Sequence, residues 1–352
     1  MRETNRRDSM LACQQEQGIH DTERYGLALL YIGADPSIYE THGLDEGISL
    51  RIHKDQHLEF KGARRAQRDW TKHVCNVDGY KGGLGNPFSF ICVTVPECLP
   101  DRLELISYAN EFAFLYDGKP SPRMESFDLK KDFKKETTKM LDAFGDEALD
   151  LRVNARSGPE KRLQAQMLSE MMALDSARAI TSMKAWARFV QLASRTRSSP
   201  FETLEEYVPS RVIDAGELIW FGTLTFGMAL TIPDDEYDIC MEMARSGYAA
   251  LGLTNDLFSW EKERHDATEA GLDYVFNAIW VIMKERSVNE AEAKEICCTE
   301  IKKHVSLFKQ TVEETRHNPC LSPDLRKYLE AVLYSISGNL VWSIYCPRYR
   351  EF

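Results

Sequence analysis

Three side chains that carry oxygen atoms stand at helical spacing within one short segment of the chain. Asn255, Ser259 and Glu263 are separated by four and by eight positions. Because each residue of an α-helix turns by about 100°, the second and third lie only about 40° and 80° around the axis from the first. A hard cation such as Mg²⁺ takes a few protein oxygens and completes its shell with water and phosphate. The spacing therefore predicts one Mg²⁺ site, although the charged face of a solvated amphipathic helix has the same pattern.

The elements that must position these side chains are predicted to be helices. After Asp101, which can cap a helix, Leu103, Ile106, Ala109 and Phe112 recur at intervals of three and four residues. No stretch shows sustained alternation of period two, and residues 25–100 look irregular apart from one helix. The other predicted helices span about 58–75, 129–147, 159–173, 174–195, 202–230, 234–264, 267–286, 288–316 and 322–345. These helices predict one all-α domain over 25–352, after a mobile polar tail at 1–24.

Composition and charge exclude several classes of protein. The chain is 43% hydrophobic, enough for a large core, and its formal net charge of −11 argues against nucleic acid as a partner. Its most apolar run, 218–233, is too short to cross a membrane and contains glycines and threonines, so no membrane insertion is expected. The nine scattered cysteines and the polar N-terminus predict a cytoplasmic location.

Further motifs stand in a fixed order around the triad. Arg211 lies 44 residues before Asn255, and the pair Arg348-Tyr349 follows the last predicted helix. With the longer runs Val95–Glu104, Ile106–Leu115 and Leu333–Asn339, this order resembles the class I terpene synthases, and among them the cyclase domain of the fungal chimeric terpene synthases. The resemblance covers roughly residues 38–349. It implies a single class I terpenoid synthase helical bundle that encloses a central apolar pocket.

The resemblance also implies roles for individual residues. Asn255, Ser259 and Glu263 would bind one Mg²⁺, of three expected in the family, with Mn²⁺ as an alternative. Arg211 would sense the diphosphate, a role that suits the planar and permanently charged guanidinium. Asp214 would link it to a kinked effector segment, in which Ala215 offers its backbone carbonyl. The predicted diphosphate-binding residues are Arg211, Asn255, Lys262, Arg348 and Tyr349.

The expected reaction requires an apolar pocket lined by aromatic rings, because ring faces stabilise a carbocation. The predicted walls, each of which could instead be ordinary core, are Phe90, Phe114, Trp220, Tyr248 and Trp342. The resemblance favours a polyprenyl diphosphate as substrate, most of all geranylgeranyl diphosphate, and a fusicoccane-type (5-8-5) diterpene hydrocarbon as product. The C25 diphosphate, which would make the chain a sesterterpene cyclase, is the alternative. A fused or separate prenyltransferase and a second copy of the chain are the expected protein partners.

One family motif is degraded in this sequence. Where the family has an aspartate-rich DDxxD motif, the chain reads Asp117-Gly118-Lys119-Pro120-Ser121, and only the first acid is retained. Asp117 is therefore the predicted catalytic metal ligand on this side of the pocket, with Glu111, Glu125 or Asp128 as substitutes. The alternative is a catalytically impaired relative that binds diphosphate without ionising it. A prenyl chain elongase is disfavoured, because such enzymes carry two aspartate-rich motifs and lack the triad.

Overall fold

The computed structural model of the protein describes residues 30–117, 158–196 and 200–350. Within these ranges the helices are α1 Gln56–His73, α2 Phe90–Thr94, α3 Pro100–Asp117, α4 Pro159–Leu174, α5 Ser176–Thr196, α6 Leu204–Asp214, α7 Glu217–Gly227, α8 Tyr237–Glu269, α9 Ala278–Arg286, α10 Glu290–Thr315 and α11 Pro323–Tyr345. Short 3₁₀ turns lie at Pro36–Ile38 and Pro347–Tyr349. The all-α prediction is confirmed, whereas the predicted helix at 129–147 and the predicted tail at 1–24 lie outside the described residues.

Helix α11 lies at the centre of the bundle. Every residue from Ser335 to Ile344 is buried, and α11 packs against α8, α10, α7 and α2. A helical segment that is buried on all sides must be surrounded by other elements. The small residues in this segment of α11 allow those neighbours to approach closely. The pair α1 and α3 packs on one side of the core, and the pair α5 and α7 packs on another. None of the described helices combines the length and apolarity that a membrane span requires.

The predicted helix at 202–230 is wrong in one respect, because it is two helices. Helix α6 ends at Asp214, and α7 begins at Glu217. Gly216, between them, has a φ of 91°, a left-handed conformation that glycine adopts without the strain that a Cβ would cause. The break lies at the segment for which the resemblance implies a kink, immediately after Asp214 and Ala215.

Two other boundaries also differ from the prediction. The segment 267–286 is not one helix, since α8 continues to Glu269 and α9 begins only at Ala278. Gly271, in the left-handed region at a φ of 68°, follows α8. In the segment predicted to be irregular, two short strands, β1 Tyr31–Gly33 and β2 Arg51–His53, pair antiparallel with Ile32 opposite Ile52. Three-residue strands are too short to produce a visible period of two.

Candidate active site

Three motifs that lie far apart in the sequence meet at the side chain of Asn255 on α8. Its Oδ1 accepts a hydrogen bond from Nη2 of Arg211 on α6 at 2.6 Å. Its Nδ2 donates to the hydroxyl of Tyr349, which follows α11, at 2.5 Å. The fold thus brings together the predicted diphosphate sensor, the first triad residue and the second residue of the Arg-Tyr pair.

Carboxylates on two helices hold the Arg211 guanidinium in place. Nε donates to Oδ1 of Asp256 at 2.7 Å, and Nη1 donates to Oδ2 of Asp214 at 3.0 Å. Burial alone would lower the pKa of Arg211, but Asp256, Tyr207 and Asp214 raise it well above its usual value. Arg211 is therefore a permanent cation with a fixed orientation. Ala215 and the left-handed Gly216 end α6 directly after this pair.

Asp256, which the sequence reasoning missed, is the anchor of this arrangement. Its carboxylate is fully buried, and Oδ2 accepts from the Tyr207 hydroxyl at 2.7 Å and from the Ala278 backbone N–H at 3.0 Å. It therefore joins α6, α8 and the start of α9. The sequence signal for Asp256 was its position next to Asn255. An acid on a helix that packs on two sides is buried, and a buried acid needs a hydrogen-bond or charge partner.

Ser259 and Glu263 occupy the same helix, one and two turns after Asn255. The Oγ of Ser259 is buried and has no hydrogen-bond partner among the described residues. Burying a hydroxyl without a partner costs about 1–3 kcal/mol of folding free energy. A ligand that contacts the Oγ of Ser259 is therefore expected. An orphaned hydroxyl between an amide and a carboxylate is the donor set that a hard cation takes. The residues present therefore fit the Mg²⁺ site that the spacing predicts.

Asn277 is a second residue that the sequence reasoning missed. Its Nδ2 donates to Oε2 of Glu263 at 3.0 Å and to the backbone carbonyl of Asp256 at 2.9 Å. Its Oδ1 accepts from the Ile279 N–H and caps α9. Asn277 thereby orients the third residue of the triad. The cap could have been predicted if the break before Ala278 had been recognised.

The remaining predicted polar residues lie around this network. Lys262 donates to Oδ2 of Asp266, one turn further along α8, at 2.5 Å, and its role as a diphosphate contact stays a prediction. The guanidinium of Arg348 lies 5.1 Å from the centre of the Phe114 ring, and its Nη1 donates to the Tyr80 hydroxyl at 3.2 Å. Asp117 is the last residue of α3, and the rest of its motif lies outside the described residues.

Four of the five predicted wall residues form one aromatic cluster. The Phe90 ring is 5.3 Å from Phe114, 5.6 Å from Trp220 and 4.8 Å from Trp342, measured between ring centres. The Trp342 ring is in turn 5.5 Å from Tyr349, so the cluster begins directly beside the polar network. Tyr248 is buried with its hydroxyl against that of Tyr328, and its role as a wall residue stays a prediction.

Known proteins resemble both the sequence and the fold. Residues 160–306 match the family model described as terpene synthase family 2, C-terminal metal binding. The chain is 46% identical over 324 residues to fusicoccadiene synthase of Phomopsis amygdali, an alignment that covers 90% of this chain and 44% of that protein. It is 42% identical over 317 residues to a bifunctional sesterterpene synthase of Aspergillus aculeatus, covering 90% and 44%. The chain thus spans less than half the length of these curated relatives.

Solved structures share the fold at low sequence identity. A cucumene synthase variant aligns with a TM-score of 0.62 at 14% identity, covering 86% of this chain and 99% of that one. Aristolochene synthase from Penicillium roqueforti aligns with a TM-score of 0.59 at 19% identity, covering 73% and 83%. These alignments establish the architecture.

Proposed function

The chain belongs to the terpene synthase family, and on that premise we propose that it is a Mg²⁺-dependent class I terpene cyclase that ionises and cyclises a polyprenyl diphosphate. One observation carries the proposal: a single side chain, Asn255, joins the Arg211 guanidinium to the Tyr349 hydroxyl. These residues belong to three motifs separated by 44 and by 94 residues. A guanidinium, an amide and a phenol hydroxyl held together in this way are all groups that bind phosphate oxygens.

The polar end of the site suits a departing diphosphate. Mg²⁺ held by Asn255, Ser259 and Glu263, with Asp117 as the ligand proposed on α3, would neutralise the negative charge that develops on the leaving group. Arg211 stays a cation because of the carboxylates around it, and its guanidinium fork can pair with two phosphate oxygens. Arg348 and Tyr349 lie where the polar network meets the aromatic cluster.

The aromatic end suits the hydrocarbon. Phe90, Phe114, Trp220 and Trp342 present ring faces, which stabilise a delocalised cation without offering a base that would quench it. The guanidinium of Arg348 lies 5.1 Å from the centre of the Phe114 ring. If Arg348 binds the diphosphate, the carbon to which the diphosphate is attached would lie close to the rings when the C–O bond breaks. Trp342 is buried and the other three rings are partly buried against it or against the core, and such packing would help to exclude the water that traps a cation.

The substrate of choice is geranylgeranyl diphosphate, and the proposed product is a fusicoccane-type (5-8-5) hydrocarbon. The name of fusicoccadiene synthase supports this choice, at 46% identity. The C25 diphosphate is the second candidate, because a sesterterpene synthase is 42% identical over a similar span. Both of these relatives are more than twice as long as the aligned region, and the second is named bifunctional, which leaves room for a second activity; a fused or separate prenyltransferase is the partner that we propose for it.

Incubation with geranylgeranyl diphosphate, with and without Mg²⁺, followed by gas chromatography–mass spectrometry tests the proposal. The C15 and C25 diphosphates are run in parallel. We expect a cyclic hydrocarbon that requires the metal, that is lost in Glu263→Gln and that persists in Glu261→Gln. Glu261 is the matched control, because it lies on the same helix but pairs on the surface with Arg264 and Lys294. No product from any of the three substrates would refute the cyclase and favour the impaired, diphosphate-binding relative.

A further inference from the structure

Glu111 on α3 is a buried acid whose two oxygens both have partners. It is 1% exposed. Its Oε1 accepts from Nε2 of Gln67 on α1 at 2.6 Å, and its Oε2 accepts from the backbone N–H of Gly83 at 2.8 Å. Burial raises the pKa of Glu111, and these two donors together with Arg348 oppose the rise. Both oxygens are thus engaged by the fold, and the role of Glu111 as a substitute for the missing acids of the aspartate-rich motif stays a prediction.

Gly83 connects this carboxylate to the aromatic cluster. Its carbonyl accepts two hydrogen bonds, one from the backbone N–H of Phe90 at 3.0 Å and one from Nε1 of the Trp342 indole at 2.9 Å. Phe90 and Trp342 are the pair of rings with the shortest separation in the cluster, 4.8 Å between centres. One backbone residue thus holds two of the proposed pocket walls on its carbonyl side and Glu111 on its amide side.

The loop is shaped to receive the carboxylate. A Cβ atom added to Gly82 would lie 1.8 Å from Oε1 of Glu111, far inside contact distance. Glycine at this position therefore lets the backbone approach close enough for the Gly83 N–H to reach Oε2. The Gly82-Gly83 backbone lies directly on the Glu111 carboxylate. If the hydrogen bonding of Glu111 changes, either the Gly83 peptide moves or its buried N–H loses its acceptor.

We propose that Glu111 is a positioning residue that fixes the Phe90 and Trp342 rings through the backbone of Gly83 and so determines which hydrocarbons the pocket makes. The inference rests on the proposed function for its consequence, since the rings matter for products only if the protein is a cyclase. The geometric part, that Glu111 positions the rings, can be measured without substrate. Glu111 acts through Gly83, and no contact with substrate is required of it.

Gln67 offers a rescue that a merely structural role would not show. In Glu111→Gln the new amide oxygen can still accept from the Gly83 N–H, but its NH₂ then faces the Gln67 amide, which must turn its own oxygen inward, and both hydrogen bonds lose the charge of the carboxylate. In the double variant Q67E/E111Q the NH₂ of the new amide donates to a carboxylate at position 67, so a charge-assisted hydrogen bond is restored and the amide oxygen is held towards the Gly83 N–H. Glu104→Gln is the matched control, because Glu104 is on the same helix but forms partly exposed ion pairs with Lys61 and Arg65.

The measurement is ¹⁹F NMR of protein labelled with 5-fluorotryptophan, with the Trp342 resonance assigned from Trp342→Phe. We expect E111Q to shift or broaden this resonance, Q67E/E111Q to restore it, and E104Q to leave it unchanged. The Trp280 resonance, from a ring that packs against Tyr274 instead, serves as the internal reference. In parallel, the ratio of main to minor hydrocarbons is expected to change by about threefold or more in E111Q and to recover in the double variant.

Two results would overturn the inference. An unchanged Trp342 resonance in folded E111Q would show that Glu111 does not position the ring. A product ratio that stays constant while the resonance moves would show that the ring position does not determine the products. If the wild-type protein makes no hydrocarbon, the proposed function fails by itself, and the resonances still decide whether Glu111 holds Trp342.

Discussion

Replacement of Asp256 by Asn should destabilise the protein strongly, although the side chain keeps its size. The buried Asp256 carboxylate accepts from Arg211, Tyr207 and the Ala278 N–H. An amide can accept through one oxygen only, so at least one of these donors would face an NH₂ group. Arg211 would also lose one of its two carboxylates and keep Asp214 alone.

The size of this effect follows from the burial of the ion pair. Breaking a buried pair costs about 3–5 kcal/mol, and the lower end applies here because Asp214 still balances the charge of Arg211. An entropy of unfolding of about 2.1 cal/mol/K per residue gives roughly 0.7 kcal/mol per kelvin for 352 residues. The melting temperature of Asp256→Asn should therefore fall by about 4 °C.

Differential scanning calorimetry of Asp256→Asn beside Glu261→Gln checks the prediction. Glu261 lies on the same helix and pairs with Arg264 and Lys294, but its side chain is 42% exposed. Exposed pairs contribute about 0–1 kcal/mol, so the control should melt within about 1 °C of the wild type. An Asp256→Asn protein that also melts within 1 °C would show that Asp256 does not anchor Arg211 in the fold.

Three further predictions concern separate parts of the molecule. Ser259→Ala should melt at or above the wild-type temperature without metal, since it removes an unpaired hydroxyl; its affinity for Mg²⁺ with inorganic diphosphate, measured by thermal shift, should fall at least about tenfold, and unchanged affinity would contradict the metal assignment. Burial raises the pKa of Glu59 from 4.5 to about 7, so its contribution to stability is complete below pH 4.5 and is lost as the pH rises through 7. The stability advantage of wild type over Glu59→Gln should shrink by about 3 kcal/mol across that window, and calorimetry that finds a constant or growing gap would refute this. Gly216→Ala should lower the free energy of unfolding in urea by about 1–2 kcal/mol because of its positive φ. Gly33→Ala, where a Cβ meets open space at an ordinary φ, should change it by under about 0.5 kcal/mol, and equal values for the two variants would argue against strain at Gly216.

The helical architecture was predictable because long amphipathic segments carry a strong periodic signal. The helix predicted at 159–173 is observed at Pro159–Leu174, and that at 288–316 is observed at Glu290–Thr315. The errors fall where one backbone conformation decides the structure. A left-handed Gly216 breaks a helix without any change in the surrounding apolar pattern, and a side-chain cap at Asn277 delays the start of the next one.

The site was predictable where local spacing reports geometry. Asn255, Ser259 and Glu263 share a face because they are on one helix, and their spacing alone shows this. The approach of Arg211 and Tyr349 to Asn255 could be expected only from the order of the family motifs. Asp256 and Asn277 were missed because their partners lie on other helices, and spacing along one helix does not report contacts between helices.

The case of Glu111 shows why residue type alone does not assign the role of a buried acid. Near a degraded aspartate motif, a carboxylate one or two turns before Asp117 looks like a replacement ligand. Its actual partners come from 44 residues and 28 residues earlier in the chain, at Gln67 and Gly83. Glycine at position 82 permits that contact, since any side chain there would collide with the carboxylate. The acid therefore already holds the loop beside Phe90 and Trp342, and a metal ion on Glu111 would have to use the lone pairs that these two hydrogen bonds leave.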